Sequence, residues 1–401
     1  MLRRLAITNL VVVCLIAAIP ARTARRPQYG GTLRVEIGEV VRSLDPVVRA
    51  GNPAEAAARN EIDSLLYESR DNDGDFSGVA GSGPFKVWEW EPGKRLALRP
   101  NETFREGRPF VNAVEINMGR AVRDRLLDLE LNKVDLAPIP PQEARHAAER
   151  GVRVSESQPD ELLALVFSGA GASDKRPSDM RAREAIALSI DRSAIVTFLL
   201  QKSGEPAGGL LPQWSSGTAF LFPAAADVAR AKELWLQIAP APKFVLGYDS
   251  ADPLEQSIAE RIVVNAKEAG IGLRAVSENG VHTGKEPDAT LVRVAMKSAD
   301  PATALSGLLN DIDLAAPDSG IHADALPDSA SAQDIYDRER EILNSYRVVP
   351  LVWLPRVYGL SARVRNWVSP QPGQAWPLAD VWLDAGAQDT DTSGGISKDK
   401  E

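Results

Sequence analysis

The run Phe244-Val245-Leu246-Gly247-Tyr248, then PLEQSIAERIVVNAKEA over 253–269 and IGLRAV over 271–276, reads as strand, helix and strand in turn. Leu254, Ile258, Ile262 and Ala266 fall on one stripe of that helix, and Gly270 ends it. Another helix, Asp227 to Leu236, precedes the unit, and another strand, Leu291 to Met296, follows it. Strands separated by a helix at this spacing join in parallel through a right-handed crossover. The expectation is an α/β fold whose ligands bind at the carboxyl ends of its strands.

Upstream, Thr32 to Ile37 alternates with period two and reads as a strand. Phe85 to Trp90 and Arg95 to Arg99 form a hairpin about Glu91-Pro92-Gly93-Lys94, where Pro fixes one φ and Gly supplies a positive one. Helices are expected at Val122 to Leu131 and Gln142 to Arg150, and strands at 134–139, 152–155 and 162–167. The small-residue run Ser168 to Ser173 is a candidate hinge. Ser178 or Asp179 can cap the first of the two helices that follow, and Asp191 the second. Downstream come an amphipathic helix, Ala330 to Ser345, and apolar extended stretches at 348–353 and 358–361.

The chain starts with a basic Met1-Leu2-Arg3-Arg4, an apolar run from Leu5 to Pro20, and small residues at Ala21 and Ala24. That order reads as a secretory signal over 1–24. The only cysteine, Cys14, lies inside it, which leaves no disulfide and no thiol nucleophile in a processed protein. A formal charge of −9 excludes a nucleic-acid partner of the usual kind, because phosphate binding needs a basic footprint. His146, His282 and His322 are far apart in sequence and lack a second ligand at metal spacing, so neither a metal nor another cofactor is expected. Residues 386–401 have the composition of a disordered tail.

Several segments resemble one family in collinear order over about residues 29–384. They are Gly30 to Arg34 with Ser43-Leu44-Asp45-Pro46, and Gly81 to Lys86 with Trp90 to Gly93. Asn101 to Phe110 and Arg181 to Ile195 with Gly204 to Ala207 continue the set. Ser298 to Pro301, Val349-Pro350-Leu351 and Asp380 to Leu383 complete it. The ordered set is similar to the extracytoplasmic solute-binding proteins of family 5, the peptide/nickel receptor class that serves ABC importers.

The resemblance implies a two-lobed α/β clamshell of the type II periplasmic-binding-protein kind. Lobe I would comprise 27–174 with 347–385, and lobe II 175–346. A monomer outside the cytoplasmic membrane would capture an oligopeptide-like or other small solute in the cleft, deliver it to an ABC permease and perform no chemistry. Trp214, Lys297, Ser298, Asp300, Trp353 and Tyr358 are the candidate ligand-binding residues. Trp214, Trp353 and Tyr358 would supply flat apolar walls, although such aromatics more often belong to the core.

Two departures stand out. Only 36 residues separate Pro46 from Gly83, where the family carries a sizeable extra subdomain. Lys297 occupies the position of the acidic residue that pairs with a peptide's amino terminus, and a lysine cannot accept that hydrogen bond. The near-absence of that subdomain motivates an alternative, a degenerate receptor acting as a sensor or interaction subunit. A hydrolase reading lacks any visible nucleophile or metal set.

Overall fold

The computed structural model describes residues 26–45, 53–66, 82–168, 179–217, 222–238, 243–277, 287–321, 326–327 and 330–384. The expected signal segment 1–24, the tail 386–401, His282 and His322 lie outside the described residues, as does the run from Gly169 to Ser173. In chain order the strands are β1 (Thr32–Glu36), β2 (Phe85–Glu91), β3 (Arg95–Pro100), β4 (Ala113–Asn117), β5 (Leu136–Ile139), β6 (Arg153–Glu156), β7 (Glu161–Phe167) and β8 (Glu205–Pro206). They continue with β9 (Phe244–Tyr248), β10 (Leu273–Ser277), β11 (Ala289–Ala295), β12 (Val348–Leu354), β13 (Val357–Leu360), β14 (Val364–Arg365) and β15 (Trp382–Leu383).

The first sheet has seven strands in the order β2-β3-β4-β1-β5-β13-β6. Its hairpin turns where expected, with Gly93 at φ +74° and Lys94 N–H donating to Glu91 O at 3.0 Å. The exposed Trp88 of the edge strand lies under the Arg99 guanidinium, 3.2 Å from the ring centroid. Leu33, Val35, Leu96, Leu98, Val114 and Ile116 pack with the helix Pro53–Leu66 and with Trp376, Leu378 and Val381 near the end of the chain. A smaller cluster joins the helices Val122–Glu130 and Ala144–Glu149 to Ala137, Ile139 and Val357. On the first of these helices Leu129 is buried, whereas Leu127 and, at the C-cap, Leu131 are exposed.

The second sheet has six strands in the order β10-β9-β11-β7-β12-β8. The opening unit of the sequence folds as expected: β9 and β10 pair in parallel and are linked by the helix Pro253–Glu268. Leu254, Ile258, Ile262 and Ala266 are all buried on that helix. Strands β7 and β12 are neighbouring interior strands of the sheet. Six of the seven residues of β7 and all seven of β12 are buried, the pattern of strands covered on both faces. Each Val or Leu so buried is worth about 1.5–3 kcal/mol.

The sheets therefore divide differently from the boundaries expected at 174/175 and 346/347. Strands β7 and β12 belong to the second sheet, where β7 pairs antiparallel with both β11 and β12. The chain passes between the sheets at 157–160 and again at 355–356. The run beginning at Ser168 follows β7 and so comes after the first crossing. Among the described residues no helix is long and apolar enough to cross a membrane.

Candidate functional site

The two crossing segments lie side by side. Ser157 N–H donates to Arg356 O at 2.9 Å, Arg356 N–H to Ser157 Oγ at 2.9 Å, and Asp160 N–H to Leu354 O at 3.0 Å. Asp160 and Arg356 occupy corresponding places, one before β7 and the other before β13. Their side chains meet, with Arg356 Nε 2.9 Å and its terminal nitrogen 2.6 Å from Asp160 Oδ2. The other terminal nitrogen reaches Glu61 Oε1 of the helix Pro53–Leu66 at 3.3 Å. Glu61 Oε2 accepts the Trp376 N–H at 3.1 Å.

One guanidinium thus serves two carboxyls. Burial pushes Glu61 up to about 7, against the pull of Arg356 and of the Trp376 N–H. Burial likewise raises Asp160 to about 6, again opposed by Arg356. Asp160 Oδ1 is buried and has no hydrogen-bond partner among the described residues. A carboxyl holds its proton to higher pH in such a place than in water.

Three candidates from the sequence border this junction. Trp214 is half-buried on the short helix Gln213–Ser216, and its indole N–H donates to Pro159 O at 2.9 Å. The loop before it is held by Glu339, whose carboxylate accepts Leu210 N–H and, at 3.0 Å, Leu211 N–H. Lys297 and Ser298 follow Met296, whose N–H donates to Asp160 O at 2.8 Å. The Lys297 amine is exposed and pairs with Asp311 at 2.7 Å.

The remaining three have other surroundings. Asp300 caps the helix Pro301–Ala315, accepting Thr303 N–H at 2.9 Å and the Thr303 hydroxyl at 2.7 Å. Trp353 is 2% exposed within the core of the second sheet, and Tyr358 is 3% exposed within that of the first. Tyr358 packs edge-on against Trp367 and Trp376, with centroids 5.0 and 6.4 Å away. His146 is exposed on its helix. Sequence reasoning missed Glu61, Asp160 and Arg356. The available signal was a lone Arg between two apolar strands and an Asp-Glu pair at the start of a third.

Comparison with known proteins agrees with this architecture. Protein XP55 of Streptomyces lividans is 26% identical over 218 residues, covering 51% of this chain and 40% of that protein. The oligopeptide-binding protein AppA of Bacillus subtilis is 27% identical over 128 residues, 32% of this chain and 23% of that protein. The matches thus span less than half of either relative's length. Among solved structures, the ABC transporter substrate-binding protein CtaP of Listeria monocytogenes superposes with a TM-score of 0.68 at 15% identity, covering 89% of this chain and all of that one. AppA of B. subtilis, solved with a nonapeptide, gives 0.63 at 14% identity over 90% of this chain and all of that one. These likenesses establish the two-lobed type II periplasmic-binding-protein fold. The family model for the middle region of the bacterial extracellular solute-binding proteins, family 5, matches residues 47–313, more than half of the sequence, and the chain belongs to that family.

Proposed function

We propose that this protein is the solute-receiving subunit of an ABC importer, working outside the cytoplasmic membrane. It takes an oligopeptide-like or other small solute between its lobes and presents the loaded form to a membrane permease. The observation that carries the reading is the pair of adjacent crossing segments, 157–160 and 355–356, between two separately cored sheets. Such a connection suits hinge closure about a ligand. Trp214, Lys297 and Ser298 border the junction and form the proposed wall on the second-sheet side. Asp300, as the helix cap beside them, sets the direction of that segment. The exposed Lys297–Asp311 pair offers both signs of charge to a zwitterionic solute. The reading requires no catalytic group and no cofactor, and it works as a monomer.

The short span from Pro46 to Gly83 favours the second reading, a receptor that has kept the clamshell but signals to a partner instead of feeding a permease. A thermal-shift screen of the chain from residue 25 against di- to nonapeptides, sugars, organic anions and metal chelates separates the two. A ligand at a hundredfold excess over its dissociation constant adds about 2.7 kcal/mol to the folded state. A hit weakened by Trp214→Ala is the expected result. No stabilisation by any class, with a cooperatively folding protein, would turn the assignment to the second reading.

A further inference from the structure

We propose that Arg356 is a positioning residue for lobe closure, fastening a strap of the first lobe, residues 369–374, so that Gly373 seats on the Lys297 peptide of the second. The proposal rests on the two-lobed cleft reading and adds to it the part that sets how far the lobes come together.

The strap is tied at three places. At its start, the Ser369 hydroxyl lies 2.9 Å from that of Ser155 in β6. In its middle, a terminal nitrogen of Arg356 donates to Pro370 O and Gln371 O, both at 3.2 Å. Just beyond its end, Trp376 donates its backbone N–H to Glu61, the carboxylate that also receives Arg356. The tip turns at Gly373, with φ +74° and Gln374 N–H donating to Gln371 O at 2.9 Å. A Cβ on Gly373 would overlap the Lys297 carbonyl oxygen, so at this point the lobes meet backbone to backbone. Lys297 is itself referenced to the same junction, because Met296 N–H bonds to Asp160 O and Arg356 bonds to the Asp160 carboxylate.

A planar guanidinium with several donors can hold a carboxylate and two carbonyls together in fixed directions. A lysine amine brings the charge without that geometry. Arg356 sits in the second crossing segment, so movement about the crossings carries it along and pulls on the strap.

The test is a distance measurement by pulsed electron-spin resonance on the full chain with Cys14→Ser, labelled through Lys86→Cys on β2 and Lys267→Cys on the helix Pro253–Glu268. No solute is added, so failure of the ligand screen leaves this result standing and the reverse also holds. Arg356→Lys and Gly373→Ala are each expected to shift the inter-lobe distance to a longer mean with a broader distribution. Gly270→Ala, which also carries a side chain at positive φ but meets nothing within 4 Å, is the control expected to overlay the parent. Parent-like distributions in both test variants, each with a cooperative melt, overturn the proposal. A shift in Gly373→Ala alone overturns the role of Arg356. Should Arg356→Lys fail to fold, Gly373→Ala decides: a shift upholds the strap contact as the stop, and an overlay overturns it.

Discussion

At the scale of single residues, Asp135 carries the heaviest structural duty of the buried carboxylates. It is fully buried and receives Arg34 N–H at 2.9 Å, Arg34 Nε at 3.0 Å, the Ser361 hydroxyl at 3.0 Å and two Arg363 nitrogens at 2.5 and 2.6 Å. Arg363 also donates to Thr32 O at 2.9 Å, so one acid binds β1, the approach to β5 and the returning end of the chain. Burial alone would raise its pKa, but the hydrogen bonds from Arg363 and Arg34 outweigh burial and hold the carboxyl below its ordinary value. The stability it contributes is therefore present above the unfolded-state pKa and is lost as pH falls through the folded one. Asp135→Ala would strand two guanidinium groups and is expected to cost about 3–5 kcal/mol. Urea unfolding at pH 7 measures this, and a change under about 1 kcal/mol, the range of an exposed ion pair, would show that the cluster is not a tie.

At the scale of elements, capping was legible in the sequence and pairing was not. Asp179 and Asp191 were readable as caps because the signal is local, and both side chains accept backbone N–H groups as expected. The parallel unit at 244–277 was equally plain, since its helical stripe and its two short strands lie within one continuous window. Which sheet takes β7 and β12 depends on partners more than a hundred residues away, and apolar periodicity reports a buried face without naming the neighbour. For the same reason, Glu61, Asp160 and Arg356 gave no motif, because they converge from three distant elements. Asp300 illustrates the converse: a family-like position turned out to have its carboxylate engaged by Thr303. Asp300→Asn, which retains a capping oxygen, is expected to leave the melting temperature close to the parent's, while Asp300→Ala lowers it. The Asn substitution is not expected to alter solute affinity measured by calorimetry. An affinity lost in the Asn variant at an unchanged melting temperature would make Asp300 a ligand contact.

At the scale of the whole molecule, two cores are coupled through a junction that holds two carboxyls for one guanidinium. Folded Glu61 titrates near 7 and folded Asp160 near 6, both raised chiefly by burial. Arg356 from the second crossing and Tyr358 from β13 face them, and Glu161 adds a further negative charge beside Asp160. A raised carboxyl pKa means that the folded protein keeps its proton where the unfolded chain has lost it. The resulting stability is full below the unfolded pKa near 4.5 and declines as pH rises toward about 7. The two acids share Arg356, so their protons leave in joint steps, and the Glu61 shift from 4.5 to about 7 corresponds to a decline on the order of 3 kcal/mol. Asp135 and other acids with lowered values change stability in the opposite direction at lower pH, so the informative quantity is a difference between proteins. Glu61→Gln keeps one acceptor oxygen, enough for Arg356 or for the Trp376 N–H but not for both, while removing the titration. Its stability relative to the parent, from urea unfolding at half-unit steps between pH 4.5 and 7.5, is expected to rise with pH. Parallel curves would mean that Glu61 is ionised throughout, and the junction would then be a plain salt bridge without a stored proton.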